Sequence, residues 1–388
     1  MTDEKCRKIS ILDTTLRDGE QAPGNAMNPE QKLKIATGLF EAGVNHIETG
    51  FPASSEFDYE ATKLIRKHLP SAGIATFSRT LINDVKLALE SGGTEYNHTV
   101  QIVVTGSDIH LKNKRNISRA QAVDEMCKTI EFIKNNSNCR IAMGIEDASR
   151  ADYMFMKQLA KEAVSAGVHQ IILADTTGFS LPQEYGNLIR FIKDSINDDI
   201  SISTHCHNDL GLAVVNTLAG IEAGADEVQV TLGGIGERAG NSSLELIASI
   251  LFYKLEHFNA YTSINLNKLY PLYCELCSIV NMNISRNKPL FGKYVFGTAA
   301  GIHQQGMLSD PDTYEFIKPD IFGRNREFFV SRHSGKSIIK YLLSKQNTIN
   351  FDEKLISNLY EKFISTRYEN SCISMEQLNQ EIIKYIGN

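Results

Sequence analysis

Eight short apolar runs, each followed by a longer stretch with helical spacing of its apolar residues, constrain this chain more than any other feature. The runs are Ile9–Asp13, Val44–Thr49, Gly73–Phe77, Thr99–Val104, Arg140–Ile145, Gln170–Ala174, Ile200–His205 and Glu227–Thr231. Between them lie helix-patterned segments such as Glu30–Ala42, Phe57–His68, Ala120–Asn135, Ala151–Ala166 and Gly211–Ala223. Ala-Gly recurs just ahead of strands, in Glu41-Ala-Gly, Ser165-Ala-Gly and Glu222-Ala-Gly. Glycine tolerates the backbone that ends a helix, and the β-branched run after it starts the next strand. Eight β–α alternations in about 250 residues predict a (β/α)8 barrel of the α/β class. A doubly wound sheet would favour a glycine-rich phosphate loop after the first strand, and none stands there.

Composition narrows the class of partner. At 388 residues the chain can bury one large core and a smaller one. A net charge of -6 without a sustained basic stripe argues against nucleic acid. No run approaches membrane-span length, and the N-terminal MTDEKCRKIS is too polar for a signal peptide. Seven irregularly spaced cysteines fit the reduced thiols of a cytoplasmic protein. The lone C-x-x-C of Cys274 and Cys277 sits in a helical pattern and reads as core packing.

In such a barrel, chemistry gathers at the C-terminal ends of the strands. Polar motifs follow nearly every run: Asp13-Thr-Thr-Leu-Arg-Asp-Gly-Glu-Gln21, Glu48-Thr-Gly-Phe-Pro52, Glu146-Asp-Ala-Ser-Arg150, Asp175-Thr-Thr-Gly178 and Gly233–Asn241. The seventh run ends in Ser203-Thr-His-Cys-His-Asn-Asp-Leu-Gly-Leu212. Residues two apart on a strand point the same way, so His205 and His207 project together while Cys206 points away. A histidine pair alone is more often a surface feature, and one acid after a strand is more often a cap. Convergence of all these motifs on one rim favours catalysis. Asp18, His205, His207 and Asn241 then supply oxygen and nitrogen ligands for a divalent metal, a set that suits Mg, Mn or Zn alike. A substrate with adjacent carbonyl and carboxylate oxygens would chelate such an ion, with Arg17 stabilising a developing alkoxide.

Leu12–Gln21, Thr204–Leu212, Gly234–Asn241 and Ala300-Gly-Ile-His-Gln-Gln-Gly306 resemble the 2-isopropylmalate synthase/homocitrate synthase family, the DRE-TIM metallolyases. The resemblance implies a TIM barrel over 1–275 and a mainly helical C-terminal subdomain over 276–388 that completes the active site in a domain-swapped homodimer. It also implies a Claisen-type condensation of acetyl-CoA with a 2-oxo acid, followed by thioester hydrolysis. By the same resemblance Asp18, His205 and His207 bind the metal, with Asn241 as a further ligand. Arg17 binds the 2-oxo oxygen, Glu146, Thr176 and His110 contact the substrate, Glu237 supports proton relay, and His303 assists removal of a proton from the acetyl methyl group. That C–H bond is weakly acidic, so a placed base is required.

One departure stands out. Where some relatives carry a tyrosine after a later Gly-Arg, this chain reads Gly323-Arg-Asn-Arg-Glu327, with Arg326 near the place of a tyrosine partner for His303. Ser331-Arg-His-Ser-Gly-Lys336 resembles another family segment and gives His333 no role. Gly50–Ser55 and His110 resemble isopropylmalate synthases, which take the apolar 2-oxoisovalerate. Glu146–Asp152 and the tail around Ser365-Thr-Arg367 look more like nitrogen-fixation-type homocitrate synthases. A second carboxylate needs a dedicated cation; Lys112, Lys114 and Arg115 read as a solvated face. Isopropylmalate synthesis is therefore the expected reaction, with homocitrate, then citramalate synthesis, then a metal-dependent lyase or aldolase as alternatives. The chain ends at residue 388, so no leucine-regulatory domain of the family kind is expected.

Overall fold

All eight apolar runs become strands of one closed parallel barrel. The strands are β1 (Ser10–Asp13), β2 (His46–Glu48), β3 (Gly73–Arg79), β4 (His98–Thr105), β5 (Arg140–Glu146), β6 (Gln170–Asp175), β7 (Ser201–Cys206) and β8 (Glu227–Val230). Each pairs with the next in chain order, and β8 closes on β1 through Ser10↔Glu227 to Asp13↔Val230. The computed structural model describes residues 6–196, 199–346, 351–367 and 372–387. Residues 1–5, which the signal-peptide argument used, lie outside them.

Helices follow the strands as the periodicity requires. They are α1 (Pro29–Glu41), α2 (Glu56–His68), α3 (Ile82–Gly92), α4 (Arg119–Asn136), α5 (Tyr153–Ala166), α6 (Pro182–Lys193), α7 (Ala213–Glu222) and α8 (Leu244–Tyr253), with α9 (Leu269–Ile279) behind them. Their starts are chemically marked. Asn28 and Ser118 form reciprocal capping boxes with Gln31 and Gln121, which satisfies the orphan N–H groups of the first turn. Helices and strands meet in one apolar layer, where Ile130, Ile141, Met143, Phe155, Leu159, Ile171 and Ile189 are buried. On α9, Cys277 is buried and Cys274 half-buried.

The chain divides into two compact units, Met1–Met282 and Asn283–Asn388. The second holds a three-stranded sheet of β9 (Gly297–Thr298), β10 (Glu327–Val330) and β11 (Ile373–Ser374), with β10 in the middle. Among the described residues four helices accompany it: α10 (Gly301–Ser309), α11 (Lys336–Ser344), α12 (Glu353–Tyr360) and α13 (Met375–Ile386). Its core is Val330, Ile338, Ile339, Leu343, Leu359, Ile364, Leu378 and Ile382.

Candidate active site

The loop after β1 winds into a π-helical turn over Thr15–Gly19. Single π turns recur at functional sites because they re-aim a side chain. Here the Thr14 hydroxyl accepts from the Asp18 N–H at 3.3 Å, and Asp18 is turned into the barrel mouth. His205 stands one residue before the end of β7 and points inward, with its backbone N–H bonded to the buried Tyr185 hydroxyl at 3.2 Å. His207, two residues on, is held by a backbone bridge to Asn241.

Three ligand-type atoms therefore converge. Asp18 Oδ2 lies 3.2 Å from His205 Nε2 and 3.7 Å from His207 Nε2. The two Nε2 atoms are 3.2 Å apart, and all three residues are buried. His207 Nδ1 has no hydrogen-bond partner. Burial, helped by His205, pushes the His207 imidazole down to about 4, so its ring keeps a lone pair at neutral pH. Burial alone would raise Asp18, but Arg17 and both histidines outweigh it and hold the carboxyl well below the ordinary range. One carboxylate oxygen and two imidazole nitrogens within 4.8 Å fit a divalent metal by donor chemistry. Cys206 is buried, burial pushes its thiol up to about 12, and it is not among the converging residues.

Arg17 lies beside this cluster, donating to Glu48 Oε2 at 2.8 Å and reaching Asp18 Oδ2 at 3.2 Å, with its guanidinium 4.9 Å from the Phe77 ring centre. Glu48 also accepts from the Thr14 hydroxyl and, at 2.8 Å, from Gln101 Nε2. Gln229 Nε2 donates to Gln101 Oε1 at 2.7 Å, and Gln229 Oε1 lies 2.8 Å from His205 Nδ1. A run of hydrogen bonds and ion pairs thus leads from Asp18 through Arg17, Glu48, Gln101 and Gln229 to His205, whose Nε2 lies 3.2 Å from Asp18 Oδ2.

The cluster opens into a cavity of about 400 Å³. Arg17, Asp18, Glu146, Thr176, His205, His207 and Glu237 all line it. Asn241 and His110 are not among the lining residues. Asn241 donates to the Ile235 carbonyl at 3.3 Å, inside the loop over 233–241. That loop doubles back so tightly that a Cβ on Gly240 (φ +88°) would meet the Gly234 carbonyl oxygen at 1.9 Å, so only glycine fits. His110 stands behind Glu146, with Nδ1 3.5 Å from Glu146 Oε2 and Nε2 3.7 Å from Asp147 Oδ2. Thr176 accepts from the Asp147 N–H through its hydroxyl at 2.9 Å.

Lys112 and Lys114 of the basic run after His110 are exposed, as a solvated face requires, but Lys114 has a further contact. Lys114 reaches the cavity wall and donates to Glu146 Oε1 at 2.5 Å. The residue sits in a π-helical turn over Leu111–Arg115, so its direction could not be read from regular helical spacing. Gln101 and Gln229 were also missed, although a glutamine inside Thr-Val-Gln-Ile-Val-Val and Glu-Val-Gln-Val is a legible oddity. A buried amide must find partners.

His303 belongs to the second unit, on α10. Its ring centre lies 4.4 Å from that of Tyr314, and both line an apolar pocket of about 470 Å³ with Phe296, Met307 and Phe316. Arg326 makes a two-pronged pair with Glu315, at 2.5 and 2.6 Å. The tyrosine beside His303 is therefore Tyr314, eleven residues along the chain from it, and not a residue after Gly323-Arg324.

Comparison with known proteins agrees with this architecture. Residues 8–273 match the HMGL-like family and residues 290–370 the family described as homocitrate synthase post-HMGL domain-like. The chain is 39% identical to a 2-isopropylmalate synthase of Bacillus licheniformis, over 86% of this chain and 65% of that protein. It is 35% identical to 2-isopropylmalate synthase 1 of Caldanaerobacter subterraneus subsp. tengcongensis, over 92% of this chain and 90% of that one. The chain thus spans just under two thirds of the Bacillus protein and most of the Caldanaerobacter one. Among solved structures, the Bacillus subtilis HMG-CoA lyase superposes with a TM-score of 0.62 at 20% identity, over 74% of this chain and 98% of that one, which shows a shared fold. Barrel, rim motifs and relatives agree: the chain belongs to the 2-isopropylmalate synthase/homocitrate synthase family.

Proposed function

We propose that the chain is a divalent-metal-dependent acyltransferase that condenses acetyl-CoA with 2-oxoisovalerate and hydrolyses the thioester, a 2-isopropylmalate synthase. One observation carries the substrate choice. Each of the four cations lining the cavity already has an acid: Arg17 has Glu48, Arg79 has Asp84, Lys114 has Glu146 and Arg238 has Asp209. The remaining wall includes Val103, Ile172, Ala174 and Phe77. A branched apolar chain suits that wall, whereas a second carboxylate would have to displace an existing ion pair.

In the reaction the acetyl methyl group loses a proton, and its carbon bonds to the 2-oxo carbon. The carbonyl electron pair becomes an alkoxide, and water then releases CoA as the thiol. Asp18, His205 and His207 would hold the metal, with Asn241 as a further candidate; bound there, it supplies a Lewis acid for the carbonyl. Arg17, fixed by Glu48 and Phe77, offers its guanidinium to the developing oxyanion. Glu146 and Thr176 orient the substrate, and Glu237 supports proton relay. His303, with Tyr314 against its ring, is the group we assign to the methyl proton. The homodimer with exchanged C-terminal segments and the cytoplasmic setting belong to the same proposal.

A thiol-release assay with acetyl-CoA and a panel of 2-oxo acids tests it. The highest kcat/KM is expected with 2-oxoisovalerate, lost on chelation and restored by Mg²⁺, Mn²⁺ or Zn²⁺. Absence of thiol release with every oxo acid, in the presence of metal, would sink the synthase reading. Preference for 2-oxoglutarate would favour homocitrate synthesis, the second reading, which Lys114 on the cavity wall keeps in view.

A further inference from the structure

His205 does not end at a carbonyl or a carboxylate on its far side. It ends at an amide, Gln229, which meets a second amide, Gln101, which meets Glu48. The direction of each bond follows from the next one along. A carboxylate accepts, and Glu48 already takes Arg17 and the Thr14 hydroxyl, so Gln101 turns its NH2 toward Glu48 and its oxygen toward Gln229. Gln229 must then donate to Gln101, which leaves its own oxygen for His205. An amide oxygen only accepts, so His205 Nδ1 carries the proton. In the neutral ring the lone pair then sits on Nε2, the atom 3.2 Å from both Asp18 Oδ2 and His207 Nε2.

We propose that Gln101 and Gln229 are positioning residues of the metal site, relaying the acceptor character of Glu48 across the barrel to fix His205 in the tautomer that ligates through Nε2. The inference rests on the metal reading above. Both glutamines are almost fully buried, and they sit on β4 and β8, so the relay crosses the lumen instead of following one strand. Outer partners of this kind orient a ligating histidine and typically contribute ten- to a hundred-fold in metal affinity. A glutamine that merely filled the lumen would be replaceable by leucine without loss of affinity.

Three variants separate the roles: Gln229→Leu keeps volume without an acceptor, Gln229→Glu keeps an acceptor, and Gln101→Leu releases the Gln229 amide to turn over. Two measurements apply to each. One is calorimetric titration of the metal-free protein with Mn²⁺ and Zn²⁺. The other is nitrogen-15 histidine spectroscopy of the metal-free protein at alkaline pH, which reports the neutral tautomer without metal or turnover. Gln229→Leu is expected to weaken metal binding about ten- to a hundred-fold and to populate the other tautomer of His205. Gln101→Leu should lie between it and wild type, and Gln229→Glu should keep the wild-type tautomer and bind within about threefold, below the full loss expected of a missing partner. The relay is overturned if Gln229→Leu keeps both the wild-type tautomer and the wild-type affinity. If wild type binds neither metal, the metal reading fails instead, and the tautomer measurement still decides the relay.

Discussion

Two buried polar clusters sit two residues apart on the same strands, and they are built to opposite ends. On β7, Ser203 precedes His205; on β8, Glu227 precedes Gln229. The lower cluster is complete in itself. The Glu227 carboxylate takes the hydroxyls of Ser10 (3.3 Å) and Ser203 (3.1 Å), the Gln170 amide (3.0 Å) and the His46 ring (3.1 Å). Burial alone would raise Glu227, but the His46 contact, the charges of His46 and Arg140, and Ser203 outweigh it, so it is held below the ordinary range. The upper cluster points three electron-rich atoms at one another and leaves His207 Nδ1 without a partner. A closed carboxylate with four donors stabilises a fold, while converging acceptors short of protons call for a cation from outside. Burial does not separate the two clusters. The balance of donors and acceptors does.

The sharpest way to break this contrast is Asp18→Asn. Removal of the only carboxylate among the three converging residues should cost about a thousandfold or more in kcat/KM, in keeping with the several kcal/mol a metal Lewis acid provides. The urea midpoint of the metal-free protein should stay near wild type, because Arg17 keeps Glu48. A variant whose urea midpoint fell sharply while its folded fraction kept the wild-type kcat/KM would show the upper cluster to be structural.

The converse change is Glu227→Leu, which removes the acceptor shared by Ser10, Ser203, Gln170 and His46 and leaves the Ser203 hydroxyl buried without it. About 3–5 kcal/mol of stability should go, the usual cost of breaking a buried charged pair. Folded molecules should still turn over within a few-fold of wild type. The pH dependence has a definite sign. Because Glu227 titrates lower in the folded chain than in the unfolded one, its contribution is fully present above about 4.5 and is lost as pH falls through the depressed folded value. Urea unfolding of wild type should weaken in that acid range, and Glu227→Gln should flatten the slope. An unchanged slope would remove Glu227 from the stability of the lower end.

The two ends were not equally legible. His205 and His207 could be placed together because alternation on a strand fixes direction, and Asp18 because rim motifs of such a barrel must converge. The lower cluster escaped notice: Ser10, His46, Gln170 and Glu227 come from four different strands, and their meeting depends on barrel closure and register. Lys114 and Asp18 both sit in π-helical turns, where spacing rules give no direction; Asp18 was found through its motif, while Lys114 had none to speak for it. The Tyr314 contact with His303 was hidden for another reason. The departure from the family pattern lies after Gly323-Arg324, while the ring that meets His303 precedes it, between α10 and β10.

The finest test of the contrast lies within the upper end, at Glu146→Gln. Lys114 now gives its ammonium to Glu146 Oε1, so the cavity wall is charge-matched there much as the lower cluster is. An amide at 146 accepts from Lys114 without neutralising it, leaving an unmatched cation facing the substrate. Rates with both oxo acids should fall, since Glu146 lines the cavity. The ratio of kcat/KM for 2-oxoglutarate over that for 2-oxoisovalerate should nevertheless rise about tenfold, near the lower end of what a hydrogen bond to a charged group contributes. The double variant Glu146→Gln with Lys114→Met removes the freed cation and should return the ratio to its wild-type value, which a simple loss of packing at Glu146 would not do. A ratio unmoved by Glu146→Gln would mean that Lys114 does not face the substrate, and the paired cations would no longer account for the choice of oxo acid.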